Sequence, residues 1–584
     1  MTTAHRYKYA GRRYLWITVL AATAVLAGTL AAMPPHPSIV EKAGERADAF
    51  QAGLSIMKDA RAAGVCAPDD FFLKFLRNPG RAGLSPDAAS FRVLALLVDF
   101  SDNAASVATT FFDSLVYDSV ANTVRDYFDE ISYGQIDLVT VNLPSTVGWS
   151  RAPQTYAYYV NGERGVGPTS YPNNSQGLVD DLINLVDPMV DFSPYDNDGD
   201  GYVDVLLVIH AGTGAEISDS NDDMHSHKWS LPSPRPKDGV YVYTYTVQPE
   251  FWLSPGDMTI GVYAHELCHG FGLPDLYDTD YSSNGIGNWG LMSFGSWNGP
   301  LGLGGSPAHP SAYSRVRMGL ATTVDLTSNR VGEAMTAVEN GGTIYRLKIV
   351  DSRPGEYFLV ENRQRVGYDT YLPSDGLLIW HVDSTKPGNT QEWWPGQLPS
   401  EHYLVALEQA DGLYELEQSD LYGDAGDNGD PFPGSSNRTS FNAGTLPNTD
   451  SYTGGSSITA VNNISPSGAT MFADLIVSST AGIGGEEEDQ IPISVELAQN
   501  YPNPFNPTTT IEFSTDPGTR AQLNVYNVLG QKIMTLYDGD TEPGITTVQW
   551  DATDAQGSEF SSGIYFYKLT VGETTRTKKM VLVR

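Results

Sequence analysis

The chain has 584 residues, 41% of them hydrophobic, and carries 70 acidic against 35 basic side chains, a formal charge of -35. That length exceeds what one hydrophobic core sustains, so several domains are expected. The charge repels phosphate backbones and anionic bilayers, which argues against a nucleic-acid partner and leaves the carboxylates as solvated surface or as ligands for hard cations.

At the N-terminus, His5, Arg6, Lys8, Arg12 and Arg13 precede an apolar run from Leu15 to Ala32 that ends in small residues. This reads as a signal peptide over 1–32, cleaved near Ala31 or Ala32 and leaving no stable membrane span; an uncleaved anchor is the alternative. Residues 33–88 read as a propeptide, with helical spacing from Ile39 to Ala63 and a processing loop at Gly80-Arg81-Ala82-Gly83. The apolar run Phe91 to Phe100 predicts a buried strand, Val120 to Ile131 a helix and Val203 to Ile209 another buried strand. This alternation predicts an α/β (α+β) catalytic domain over 89–321.

Short strand-like runs at Tyr345 to Val350, Tyr357 to Glu361, Leu377 to Val382 and Tyr403 to Glu408 predict a β-rich accessory domain over 322–477. The polar stretch 478–490, with three successive glutamates, reads as a linker. Runs at Thr510 to Ser514, Gln522 to Tyr526, Thr546 to Trp550 and Ile564 to Thr570 predict an immunoglobulin-like β-sandwich over 491–584.

The chemistry concentrates in TIGVYAHELCHGF, Thr259 to Phe271. Helical spacing puts Ile260, Ala264, Leu267 and Phe271 on a core-facing stripe, and His265 and His269 together on the other face. Two imidazoles one turn apart can bind one zinc ion, and Glu266 beside them can reach its water. Gly272 ends the helix, and Leu273-Pro274 bring Asp275 round as an oxygen ligand; Asp278, farther from the turn, competes for that place.

A second pattern, Asp196, Asp198, Asp200, Tyr202 through its carbonyl, and Asp204, with Gly201 at the turn, has the spacing of a calcium loop, although Leu207 stands where a twelfth-position glutamate is usual. Asp424 to Asp430 is a weaker candidate of the same kind. Cys66 and Cys268 are the two cysteines. Cys66 could fill the open metal position and keep a precursor latent; a packed thiol or a Cys66–Cys268 disulfide are the alternatives.

HELCHGFGLPDLYD, with GLMSFGSW (Gly290 to Trp297), PAHPSAYSRVRMGL (Pro307 to Leu320), RVLALLVDFSD (Arg92 to Asp102), FLVENRQ (Phe358 to Gln364) and GLLIWHVD (Gly376 to Asp383), resembles the immune inhibitor A metallopeptidases, related to the metzincins. The resemblance implies a metzincin-like zinc peptidase with His265, His269 and Asp275 on the metal, Glu266 as general base and Met292 packed beneath. Some metzincins place a tyrosine where this chain has Phe294, so any oxyanion donor comes from elsewhere, with Tyr313, His225 and His227 as candidates. The C-terminal LAQNYPNPFNPTTTIEFS (Leu497 to Ser514), NVLGQKI (Asn527 to Ile533), SSGIYFYKL (Ser561 to Leu569) and TRTKKMVLVR (Thr575 to Arg584) resemble the sorting domain of type IX secretion substrates. That implies a protein secreted by a Gram-negative-type bacterium, or held at its surface, with the type IX machinery as one partner and protein or peptide substrates as others. The competing function is a secreted surface-binding or adhesion protein on an inactive peptidase scaffold.

Overall fold

The computed structural model describes residues 33–38, 47–68, 89–349, 355–394, 401–418, 424–455, 457–478 and, with short interruptions, 496–583. The expected signal peptide, the processing loop and almost all of the expected linker lie outside the described residues. The chain divides into two compact units, on either side of Thr480.

The first unit is built on a five-stranded mixed sheet. Its order is Trp149–Arg151, Leu94–Asp99, Leu206–His210, Val240–Pro249 and His227–Lys237, parallel except for the last pair. The run Leu94 to Val98 is apolar throughout because both sheet faces are covered. Ala95 and Leu97 face one cluster with Val262, Leu267 and Phe271. Leu94, Leu96 and Val98 face a second cluster with Leu178, Leu182 and Ile183 of the helix Ser175–Val186. The expected helix over Val120 to Ile131 begins at Val124, where the Thr123 hydroxyl accepts from the Asp126 N–H and fixes the start.

Residues beyond 322 add a five-stranded sheet, ordered Val405–Leu407, Gly376–Asp383, Glu356–Arg363, Ile344–Lys348 and Thr323–Asp325, and a three-stranded sheet of Ala460–Asn462, Thr470–Ile476 and Arg330–Thr336. Phe358, Val360 and Ile379 pack with Met471 and Leu475 of the smaller sheet. Leu359, Leu378, Trp380 and Val382 point the other way, into the cluster that holds Leu267 and Phe271. One core therefore runs across position 321.

The second unit is all-β. One sheet has Glu496–Leu497, Thr509–Ser514 and Ile545–Trp550; the other has Lys532–Asp540, Arg520–Tyr526, Gly563–Val571 and Thr574–Leu582. Ile511, Phe513, Leu523, Val525, Tyr567 and Leu569 form their shared core.

Candidate metal centre

The helix Gly261–Gly270 can enter the core because its first residue has no side chain: a Cβ on Gly261 would stand 2.0 Å from the Ser296 carbonyl oxygen. The expected stripe packs into the core. The face opposite is buried as well, with His265, Glu266 and His269 all at 0% exposure. Helical conformation ends at Gly270, and Gly272 takes φ +85°, which turns the chain back over the histidines.

That turn places Asp275 Oδ1 3.1 Å from His265 Nε2 and 3.5 Å from His269 Nε2. The other nitrogen of each ring lies on a backbone carbonyl: His265 Nδ1 is 3.0 Å from the Leu291 oxygen and His269 Nδ1 2.9 Å from the Leu273 oxygen. Each Nδ1 thus carries the proton, and each Nε2 offers a lone pair toward the same point. Neither Nε2 makes a hydrogen bond to the described residues, although both are fully buried. The ligand-type atoms of His265, His269 and Asp275 lie within 4.8 Å of one another. Two imidazole nitrogens and a carboxylate oxygen, buried and pre-oriented, fit a divalent cation with a free position.

Burial pushes the Glu266 carboxyl up to about 8, and it holds the His269 ring well below the usual imidazole range. Burial alone would lower His265 too, but the Asp275 carboxylate beside it carries it upward. Asp278 is turned away, accepting from Ser283 Oγ at 2.8 Å and Ser282 Oγ at 2.9 Å. Met292 is 1% exposed, and its carbonyl accepts the Leu276 N–H at 2.8 Å, tying the Gly290 to Trp297 segment to the turn that carries Asp275. Of the oxyanion candidates, His227 is spanned between Ser175 Oγ at 2.8 Å and the His225 carbonyl at 2.7 Å, a structural setting. His225 Nδ1 lies on the Ser226 carbonyl, and the Tyr313 hydroxyl is 3.5 Å from Arg317 Nη1.

The N-terminal segment occupies this site, which sequence reasoning did not foresee beyond Cys66. The Met33 N–H donates to Glu266 Oε1 at 3.2 Å, and Cys66 Sγ stands 3.8 Å from Glu266 Oε2. The Pro34 carbonyl accepts from Trp297 Nε1 at 3.1 Å. The His36 N–H donates to the Glu216 carbonyl at 2.7 Å, and its Nε2 lies 2.9 Å from the Gly302 oxygen. The helix Ala47–Ala62 buries Met57 and Ala60, and its Arg61 donates to the Thr279 carbonyl and, at 3.1 Å, to the Tyr281 hydroxyl. Cys66 is held on the edge strand by its N–H to the Lys228 carbonyl at 2.6 Å. Both cysteines are free thiols, so the disulfide is not formed, and Cys268 sits in the apolar core.

In the acidic loop, Asp196, Asp198 and Asp200 converge, but Asp204 does not join them. Its Oδ2 accepts from the Asn197 N–H and Nδ2, each at 2.7 Å, and burial pushes the carboxyl up to about 7. The side chain of Tyr202 is 39% exposed. Of the stretch Asp424 to Asp430, Asp427 clusters with Asp411 and Glu415.

Comparison with known proteins follows the same division of the chain. Residues 109–320 match the family model described as immune inhibitor A peptidase M6, catalytic domain, and residues 499–583 match the secretion system C-terminal sorting domain. Immune inhibitor A of Bacillus thuringiensis subsp. alesti is 31% identical over 214 residues, 31% of this chain and 30% of that protein. Pre-pro-metalloprotease PrtV of Vibrio cholerae serotype O1 is 30% identical over 199 residues, 29% of this chain and 20% of that protein. The chain thus spans under a third of either relative. Latent PorU from Porphyromonas gingivalis, a solved structure, covers 21% of the chain at 19% identity with a TM-score of 0.15, too low to carry an argument. Among the described residues no helix is long and apolar enough to cross a membrane. With the metal-type triad inside the first match and the strands from Thr509 to Leu582 inside the second, this is a secreted or cell-surface protein with one region similar to the immune inhibitor A peptidase M6 catalytic domain and another similar to the secretion system C-terminal sorting domain.

Proposed function

We propose that the chain is a zinc-dependent endopeptidase of extracellular proteins, made as a latent precursor. The observation that carries this is the convergence of His265 Nε2, His269 Nε2 and Asp275 Oδ1 beside a buried Glu266. His265, His269 and Asp275 would hold zinc, which would supply a lowered pKa for a water molecule and polarisation of the scissile carbonyl. The rest is done by the protein's own groups. Glu266 accepts the proton of the attacking water and delivers it to the leaving nitrogen, so no acyl-enzyme forms. The Leu291 and Leu273 carbonyls hold the two rings in one tautomer, and Gly272 keeps Asp275 in reach. Met292 supports the floor of the site.

Latency is supported by the two contacts to Glu266, one oxygen taken by the Met33 N–H and the other faced by Cys66 Sγ. In this reading 1–32 is the signal peptide, 33–88 the propeptide, 89–321 the metzincin-like catalytic domain, 322–477 an accessory β-domain bracing it, 478–490 a linker and 491–584 an immunoglobulin-like sorting sandwich. Calcium at Asp196, Asp198 and Asp200 would pin the loop that precedes the strand Leu206–His210. The deciding experiment compares processed protein with its Glu266→Ala form on a general protein substrate, with metal content measured for both. Hydrolysis lost by about a thousandfold or more, with about one zinc retained per chain, is the expected outcome. Equal turnover in the two proteins would remove the assignment.

A further inference from the structure

A peptidase reading of this site fixes where one substrate atom must lie. The nitrogen released on hydrolysis has to stand beside Glu266, which returns a proton to it. Met33 N occupies that place, 3.2 Å from Glu266 Oε1. Counting from this nitrogen, Met33, Pro34, Pro35 and His36 stand where the first four residues of the amine-side product would stand.

We propose that Met33–His36 lies in product register, and that its contacts identify the subsites that choose the cleavage point. The first subsite encloses the Met33 side chain completely, at 0% exposure, within the apolar cluster of the catalytic domain. A long apolar side chain without branching at Cβ fills it, a glycine leaves it void, and a charged one is buried among apolar groups. The second subsite reads backbone, through Trp297 Nε1 to the Pro34 carbonyl at 3.1 Å. Neither Pro34 nor Pro35 has an N–H to offer, so proline is compatible with the second and third positions. The fourth position is gripped by the Glu216 carbonyl on the His36 N–H, the Gly302 carbonyl at 2.9 Å from Nε2, and the Trp297 ring at 4.9 Å, edge to face. The enzyme therefore cuts on the amino side of Met or Leu, accepts Pro directly after it, and takes a side chain with an N–H donor at the fourth place.

This inference rests on the peptidase reading, and one experiment separates the two. Full-length protein freed of residues 33–88 is incubated with a denatured proteome, and the new N-termini are sequenced by mass spectrometry. Met and Leu should exceed Asp, Glu and Gly at the first position by at least about tenfold after correction for abundance. A flat distribution, or a preference for small or charged residues there, overturns the subsite assignment and leaves the peptidase intact. No Glu266-dependent cleavage at all overturns both. In a second arm, Trp297→Phe keeps the ring and removes the indole N–H. On a Met-Pro-containing peptide its KM should rise several-fold with the first-position preference unchanged. A KM equal to that of the parent, in protein of unchanged melting temperature, overturns the second subsite.

Discussion

Asp275 and Asp278 lie on one short turn, both fully buried, yet their partners give them different work. Asp278 is saturated by serine hydroxyls, whereas Asp275 Oδ1 faces two imidazoles. Asp275→Asn should therefore weaken zinc binding by about a hundredfold or more, read by competition with a chromogenic chelator, while Asp278→Asn should leave it within a few-fold. Cys66 belongs to the same scale. Desolvation, and then the charges of Glu266 and Asp275, push its thiol well above the usual range. Cys66→Ala precursor should show activity before processing, measured on a fluorogenic peptide, and unchanged latency would assign the blockade to Met33 alone.

At the scale of elements, the motif helix was the most legible part of the sequence, because its histidine spacing, apolar stripe and terminal glycine all demand one conformation. The burial of its functional face was not legible. It depends on a segment more than two hundred residues upstream, whose Met33, Pro34 and His36 carry no motif of their own. The strands Lys532–Asp540 and Thr574–Leu582 were missed for a related reason. The second is rich in Thr, Lys and Arg, a composition that suits an edge strand and lacks the apolar run by which buried strands are recognised. In the acidic loop Asp196, Asp198 and Asp200 converge, but Asp204 is claimed by Asn197, a competition that spacing does not reveal. Gly261→Ala tests how tightly the motif helix is seated. The added methyl meets the Ser296 carbonyl, so stability should fall by about 1–3 kcal/mol in denaturant titration, with weaker metal binding.

Across the whole first unit, buried charge links the layers. Arg363 donates from Nη2 to Asp369 Oδ1 at 2.8 Å and from Nε to its Oδ2 at 2.9 Å, and approaches Glu361 at 3.3 Å. Asp369 also accepts the His309 N–H at 2.8 Å, and His309 Nε2 reaches Glu130 at 2.7 Å on the helix Val124–Ile131. Arg363→Met leaves Asp369 buried without its main counter-charge and should cost about 3–5 kcal/mol in denaturant titration. A second network gives the unit a pH limit. Burial lowers His381, but hydrogen bonds to Glu356 at 3.0 Å and Glu408 at 2.9 Å outweigh it and raise the ring above its ordinary value. Because the folded value exceeds the unfolded one, this stabilisation is complete below about pH 6.5 and fades as pH rises through the folded value. The melting temperature should decline over that upper window, and His381→Gln should flatten the decline.

The docking of Met57, Ala60, Val65 and Cys66 into the second core cluster separates two events commonly treated as one. Cutting the chain downstream of Cys66 severs a covalent link but withdraws none of these side chains. A nicked molecule would stay silent until the fragment escapes, so the onset of turnover should show a lag whose duration is independent of how much activating protease was added.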